Sequence, residues 1–124
     1  MADNVYTLHY FPLLGRGENI RLLLAHANVK YEDHQVSFAD WPKVKETMPG
    51  GGMPCLETKD GMKMGESLAI LRFLGLTYGY YPEDPHDAWA CDSIIDGFSD
   101  IFGKVGGSFF MEGQAKQDAE DELF

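Results

Sequence analysis

In Met53-Pro54-Cys55-Leu56-Glu57-Thr58-Lys59-Asp60-Gly61-Met62-Lys63-Met64-Gly65-Glu66-Ser67, two short apolar runs flank an Asp-Gly pair, and the second leads into a carboxylate and a hydroxyl. Asp-Gly between two such runs is a hairpin signal, because the tight turn needs residues that tolerate positive φ. Residues 55–58 and 62–64 are therefore expected as paired strands. Pro54 has no N–H to give to a sheet, so it marks the edge at which the first strand begins. The Met53-Pro54 bond is expected to be cis, leaving the N–H and C=O of Met53 to pair with a bound peptide. Glu66 and Ser67 open a helix, whose first N–H groups lack internal partners and favour anions. One such end can grip both poles of an α-amino acid, the carboxylate at Ser67 and its N–H and the ammonium at Glu66. The implied ligand is a peptide with a free amino-acid head.

Upstream, residues 5–11 are rich in β-branched and aromatic side chains and read as a strand, which Gly15 and Gly17 end. Ile20, Leu23, Leu24 and Ala27 recur at helical spacing, and Asn28 suits the helix end. Residues 31–38 read as a second strand, polar enough to lie at or near an edge. Asp40 as N-cap with Pro42 in the first turn predicts a short helix over 41–48. Gly50-Gly51-Gly52 is a loop that lets backbone approach a partner closely. Downstream, Leu68, Leu71 and Leu74 predict an apolar helix over 67–76. The order is β-α-β-α-β-β-α, an α/β fold with a mixed sheet carrying helices on its faces.

From Tyr78 the composition turns to Tyr, Gly, Pro and acid. Pro85 is expected to start a long helix through Ile101, with Ala88, Cys91, Ile94, Ile95, Phe98, Ile101 and Phe102 inward. Gly103, Gly106 and Gly107 are expected to interrupt it, and residues 114–123 look like an acidic helix.

A formal charge of −10 argues against nucleic acid, whose phosphates call for Lys and Arg along a face. It equally disfavours a basic membrane-surface helix. No apolar run approaches the ~20 residues of a membrane span, and Met1-Ala2-Asp3-Asn4 is too polar for a signal peptide. Cys55 and Cys91 are far apart and match no zinc or Cys-x-x-Cys spacing, which suits a reducing cytoplasm.

Four motifs follow in order: Tyr10-Phe11-Pro12-Leu13-Leu14-Gly15-Arg16 between strand and helix, Asp40-Trp41-Pro42-x-x-Lys45, Met53-Pro54, and Glu66-Ser67-Leu68-Ala69-Ile70. Together they resemble a cytosolic glutathione transferase. The nearest likeness is to the sigma class, which includes glutathione-dependent prostaglandin D synthases and lens S-crystallins. The resemblance spans about residues 5–105. It implies a thioredoxin-like glutathione-binding domain over 1–78, a linker at 79–87 and a partial all-helical domain over 88–124. The family's helical domain continues through several more helices that complete the pocket for an electrophilic co-substrate. Residues 88–124 have room for one long helix and part of another.

By this resemblance Tyr10 is the catalytic residue, its phenol donating a hydrogen bond to the glutathione sulfur. Phe11, Gly51, Gly52, Met53 and Pro54 surround the peptide, and Arg16 supports either the thiolate or the peptide's carboxylates. Trp41 and Lys45, one helical turn apart, meet its glycyl carboxylate. Glu66 and Ser67 take the amino-acid head. The family commonly carries a polar or basic side chain at the position of Gly52, and sigma relatives usually have Gln at that of Glu66. Asp92, Asp96 and Asp100 stack on one helix face, where the resemblance places a two-fold interface with Asp100 reaching the neighbour's glutathione. Ser99 stands where a further acid would serve a cation, so no metal is assigned. His9 reads as structural.

The implied activity is that of a transferase that activates the glutathione thiol as a thiolate, for attack on an electrophilic, peroxide or endoperoxide co-substrate. Glutathione is its co-substrate, with no other cofactor. The alternative is a weakly catalytic or non-catalytic structural or assembly protein, as S-crystallins use the fold. The implied partners are glutathione, an electrophilic small molecule and a second copy or another transferase-like chain. A thioredoxin-type redox role is disfavoured, since Tyr10 stands where those proteins carry cysteine.

Overall fold

The computed structural model describes residues 3–108 and 113–123. It divides into two compact units, Met1–Tyr81 and Pro82–Phe124. In the first, Tyr6–Tyr10 forms β1, Glu18–His26 α1, Tyr31–Gln35 β2 and Trp41–Val44 α2. Cys55–Thr58 and Lys63–Met64 follow as β3 and β4, and Ser67–Tyr78 forms α3. The sheet order is β2-β1-β3-β4; β1 runs parallel to β2 and antiparallel to β3, and β4 is antiparallel to β3. This is the mixed α/β sheet expected, with β2 at an edge.

Alternation along β1 sets the two faces of the sheet, because successive strand residues point to opposite sides. Leu8 lies opposite Leu56 in register, and both are sealed under Ile20 and Leu24 of α1 and Ile70 and Leu74 of α3. His9, opposite Cys55 and His34, points the other way. At the hairpin Gly61 takes φ 88°, as the Asp-Gly turn requires. Asn28, just past α1, takes φ 54°, and Gly79 ends α3 at φ 80°.

Four expectations need correction. The strand expected over 31–38 stops at Gln35, since β1 ends at its partner Tyr10 and only the Val36 N–H still reaches the Tyr10 carbonyl. The helix expected over 41–48 is α-helical only to Val44 and tightens into a 3-10 turn, Lys45–Thr47. Pro49 forces Met48 into extended backbone, φ −94° and ψ 141°, which closes the helix early. The Asp40 side chain does not cap it; its carboxylate accepts from the Ser37 hydroxyl and the Lys43 ammonium, both at 3.0 Å.

The fourth correction lies in the second unit, where Pro85–Ser108 forms α4 and Gly113–Leu123 forms α5. Gly103, Gly106 and Gly107 do not interrupt α4, because a helical glycine costs about 1 kcal/mol relative to alanine without forbidding the conformation. Ile94, Phe98 and Ile101, expected inward, are exposed, whereas Ala88, Cys91, Ile95 and Phe102 are half-buried. Among the described residues no helix is long and apolar enough to cross a membrane.

Candidate functional site

Arg16, Gly52, Met53, Pro54, Glu66 and Ser67, separated by up to fifty residues of sequence, line one cavity of about 180 Å³ together with Pro49 and Gly50. The Met53-Pro54 bond is cis. Glu66 stands at the N-terminus of α3 with φ 64° and ψ 103°, a conformation uncommon for any residue with a Cβ. Its carbonyl already accepts the Ile70 N–H at 2.9 Å, so the side chain is delivered at the point where the helix begins. A Cβ at Gly52 would meet nothing within 4 Å, so the cavity is open where a side chain is absent.

Tyr10 is not in that wall but lies directly behind it, 6% exposed. Its hydroxyl oxygen accepts the main-chain N–H of Arg16 at 2.9 Å. An oxygen that accepts in this way keeps its own hydrogen for donation elsewhere. Gly15 and Gly17 are required by the ring: a Cβ at either would overlap it, against the hydroxyl or Cδ1 respectively, well inside the 3.0 Å that such atoms keep. Phe11 is stacked on Phe38 with centroids 4.7 Å apart and meets the Trp41 ring edge-on at 5.4 Å. Lys45 lies beside the glycine loop, its Cε 3.8 Å from where a Gly51 Cβ would be. Phe11, Trp41, Lys45 and Gly51 thus stand outside the cavity wall, and Asp100 is an exposed residue of α4 in the second unit.

Sequence reasoning misses Arg21, whose guanidinium lies 5.4 Å from the Tyr10 ring centroid. It donates to Asp33 at 3.1 Å, Glu18 at 3.2 Å and the carbonyls of Leu13 and Phe11 at 2.9 and 3.1 Å. Burial acts to lower its pKa, but the bonds to Asp33 and Glu18 outweigh that and leave it raised. The spacing of Glu18 and Arg21 is a visible helical pair, whereas Asp33 comes from β2 and only folding brings it near. His9 likewise shows no partner in sequence. Its Nε2 is 2.7 Å from Glu57 on β3, and its Nδ1 is 2.8 Å from His34 Nδ1 on β2. Burial raises the Cys55 thiol pKa, which leaves it a weak nucleophile. Among the described residues no group of three or more His, Cys, Asp or Glu could hold a metal ion.

Residues 6–75, which contain the whole cavity wall, match the family model of the glutathione S-transferase N-terminal domain. The chain belongs to the glutathione S-transferase family. It is 40% identical over 119 residues to the hematopoietic prostaglandin D synthase of Gallus gallus, covering 96% of this chain and 57% of that one. It is 38% identical over 97 residues to S-crystallin SL18 of Nototodarus sloanii, covering 78% and 32%. Among solved structures, prostaglandin synthase D of Nilaparvata lugens superposes with a TM-score of 0.87 at 34% identity, covering 96% of this chain and 60% of that one. The sigma class enzyme of Fasciola hepatica gives 0.83 at 34%, covering 96% and 59%. This glutathione S-transferase chain therefore spans a little over half the length of the prostaglandin D synthases it matches. The likeness to sigma-class members extends past the N-terminal domain, since the matches reach 96% of the chain.

Proposed function

We infer that this chain binds glutathione in the cavity of the first unit and holds its thiol as a thiolate for transfer to an electrophilic, peroxide or endoperoxide co-substrate. The observation that carries the reading is the convergence of Glu66 and Ser67 at the α3 N-terminus with Met53-Pro54 and Arg16 around one opening, with the Tyr10 hydroxyl tied to Arg16 behind it. In this reading the glutathione carboxylate of the γ-glutamyl head lies on Ser67 and the free N–H groups of α3, and its ammonium lies on Glu66. The main chain of Met53 pairs with the cysteinyl residue. Trp41 and Lys45 take the glycyl carboxylate, with Gly51 and Gly52 leaving room for the backbone.

Tyr10 then supplies the chemistry. A free thiol with a pKa near ~8.5 is only a few per cent thiolate at neutrality. A hydrogen bond to the sulfur favours the charged form, and lowering a pKa by one takes about 1.36 kcal/mol of such preference. Tyr10→Phe is expected to change glutathione affinity by less than about threefold while the bound thiol titrates about one pH unit higher or more. Calorimetry and ultraviolet titration of the thiolate measure the two quantities. An unchanged titration curve removes Tyr10 from the mechanism.

Asp100 fits the reading as a group acting across a homodimer on the neighbour's ammonium. Asp100→Asn is then expected to weaken glutathione binding roughly tenfold in a chain that sediments as a dimer, the scale of one charge-assisted bond. Normal binding by a monomer removes this part. The likeness to an S-crystallin supports a second reading, a structural protein that keeps the glutathione cavity with little turnover. A conjugation assay with an aromatic electrophile, run beside the binding measurement, separates the two.

A further inference from the structure

We propose that Arg21 is a positioning residue for Tyr10: its guanidinium clamps the 11–17 loop so that the Arg16 N–H and the Tyr10 hydroxyl stay in register. The inference rests on the thiolate reading above and adds a residue to it. Arg21 does not line the cavity, so its effect must pass through what it holds.

What it holds is well defined. The β1–α1 connection is the segment in which the Tyr10 ring lies against two glycines with no Cβ to grip it. Such a loop has wide backbone freedom. The Phe11 and Leu13 carbonyls in it are both fixed by Arg21, through Nη2 and Nη1. The same guanidinium is fixed by Glu18 in the first turn of α1 and by Asp33 on β2. The side chain is 11% exposed, so these bonds are shielded from most of the competing water. Five N–H donors in a rigid plane can serve four acceptors in one geometry. An ammonium on a flexible stem cannot do the same. The guanidinium also faces the Tyr10 ring at 5.4 Å, within the range at which a cation is attracted to an aromatic face. Helix, strand and loop are thereby locked to one another around the hydroxyl.

The test uses the full chain with glutathione as the probe. Parent, Arg21→Met, Arg21→Lys, Asp33→Asn, Tyr10→Phe and the Tyr10→Phe/Arg21→Met double variant are compared by ultraviolet titration of the bound thiolate and by calorimetry. Amide hydrogen exchange at Arg16 is read on the same samples. Arg21→Met is expected to move the thiol titration up by about one pH unit, a tenfold smaller thiolate fraction, with affinity changed less than about threefold. Arg21→Lys is expected to recover less than half of that change, since it restores charge without the fork. Arg16 exchange should accelerate at least tenfold in Arg21→Met and in Tyr10→Phe, while amides of the Leu8 strand keep their protection. Adding Arg21→Met to Tyr10→Phe should move the titration no further.

Should Arg21→Met fail to fold, Asp33→Asn loosens the same clamp from β2 and carries the same signs at smaller size. If Tyr10→Phe moves the titration and neither Arg21→Met nor Asp33→Asn does, Arg21 is only a structural bridge and the proposal is overturned. If Tyr10→Phe itself moves nothing, the thiolate reading fails, and the role given to Arg21 falls with it. Full recovery by Arg21→Lys would also overturn the clamp, leaving charge alone as the cause.

Discussion

Tyr10 shows how one side chain depends on atoms that are absent. The ring occupies space that a Cβ at Gly15 or Gly17 would claim. Gly17→Ala is therefore expected to push the ring off its bond to Arg16 and to cost about 1–3 kcal/mol of stability, the scale of overpacking in a filled site. Urea unfolding gives the stability, and the thiolate titration should move in the same direction as in Tyr10→Phe. Retention of both would mean that the loop absorbs a methyl group freely. The phenol is legible in the sequence because its flanking motif is distinctive. Its support is not, because the bonds of Arg21 run to Asp33, Phe11 and Leu13, residues related to it by no helical spacing.

At the scale of elements, glycine position separates what must be glycine from what merely is. Gly79 sits at the C-terminus of α3 with φ 80°, and its N–H bonds to the Gly75 carbonyl. Gly106 lies within α4, and a Cβ there would meet nothing within 4 Å. Gly79→Ala is expected to destabilise the protein by about 1 kcal/mol, and Gly106→Ala to stabilise its helix by about 0.5–1 kcal/mol. Thermal melts followed by circular dichroism at 222 nm check both signs; equal effects would contradict the difference in backbone conformation. Local pattern locates nearly every element of the first unit. Where it errs, the cause is a neighbour: Pro49 ends the helix that Asp40 and Pro42 begin, and the end of β1 ends β2. The glycines of α4 look like breaks in the sequence, whereas their cost is one of degree.

For the molecule as a whole, pH acts on the core through Tyr6. Burial first, then the hydrogen bond shared with the Tyr78 hydroxyl and the proximity of that second phenol, push the Tyr6 pKa from 10.0 to about 12. Between those two values the unfolded chain gives up the proton and the folded chain keeps it. The stability this provides is complete below pH 10 and is lost as the pH rises toward 12. A gap of that size between the folded and unfolded pKa corresponds to about 3 kcal/mol. Tyr31, also raised by burial first of all, adds to the same trend. Denaturant midpoints measured from about pH 9 to pH 12 should fall steeply in the parent and less in Tyr6→Phe. Parallel curves would show that Tyr6 does not carry the alkaline limb.

The sequence alone determined the order β-α-β-α-β-β-α and the hairpin at Asp60-Gly61, which depend on spacing and backbone chemistry and are local. It singled out Met53, Pro54, Glu66 and Ser67 by their own chemistry, and Tyr10 and Arg16 by likeness to a family. Only the tertiary structure decided that Pro49 and Gly50 complete the cavity, that Tyr10 stands behind its wall, and that His9 bridges β2 and β3 through His34 and Glu57. It alone paired Arg21 with Asp33 as well as with Glu18. Hydrogen bonds between side chains of different strands and helices depend on sheet order and register, and those follow from burying Leu8, Leu56, Ile70 and Leu74 together rather than from any short run of residues.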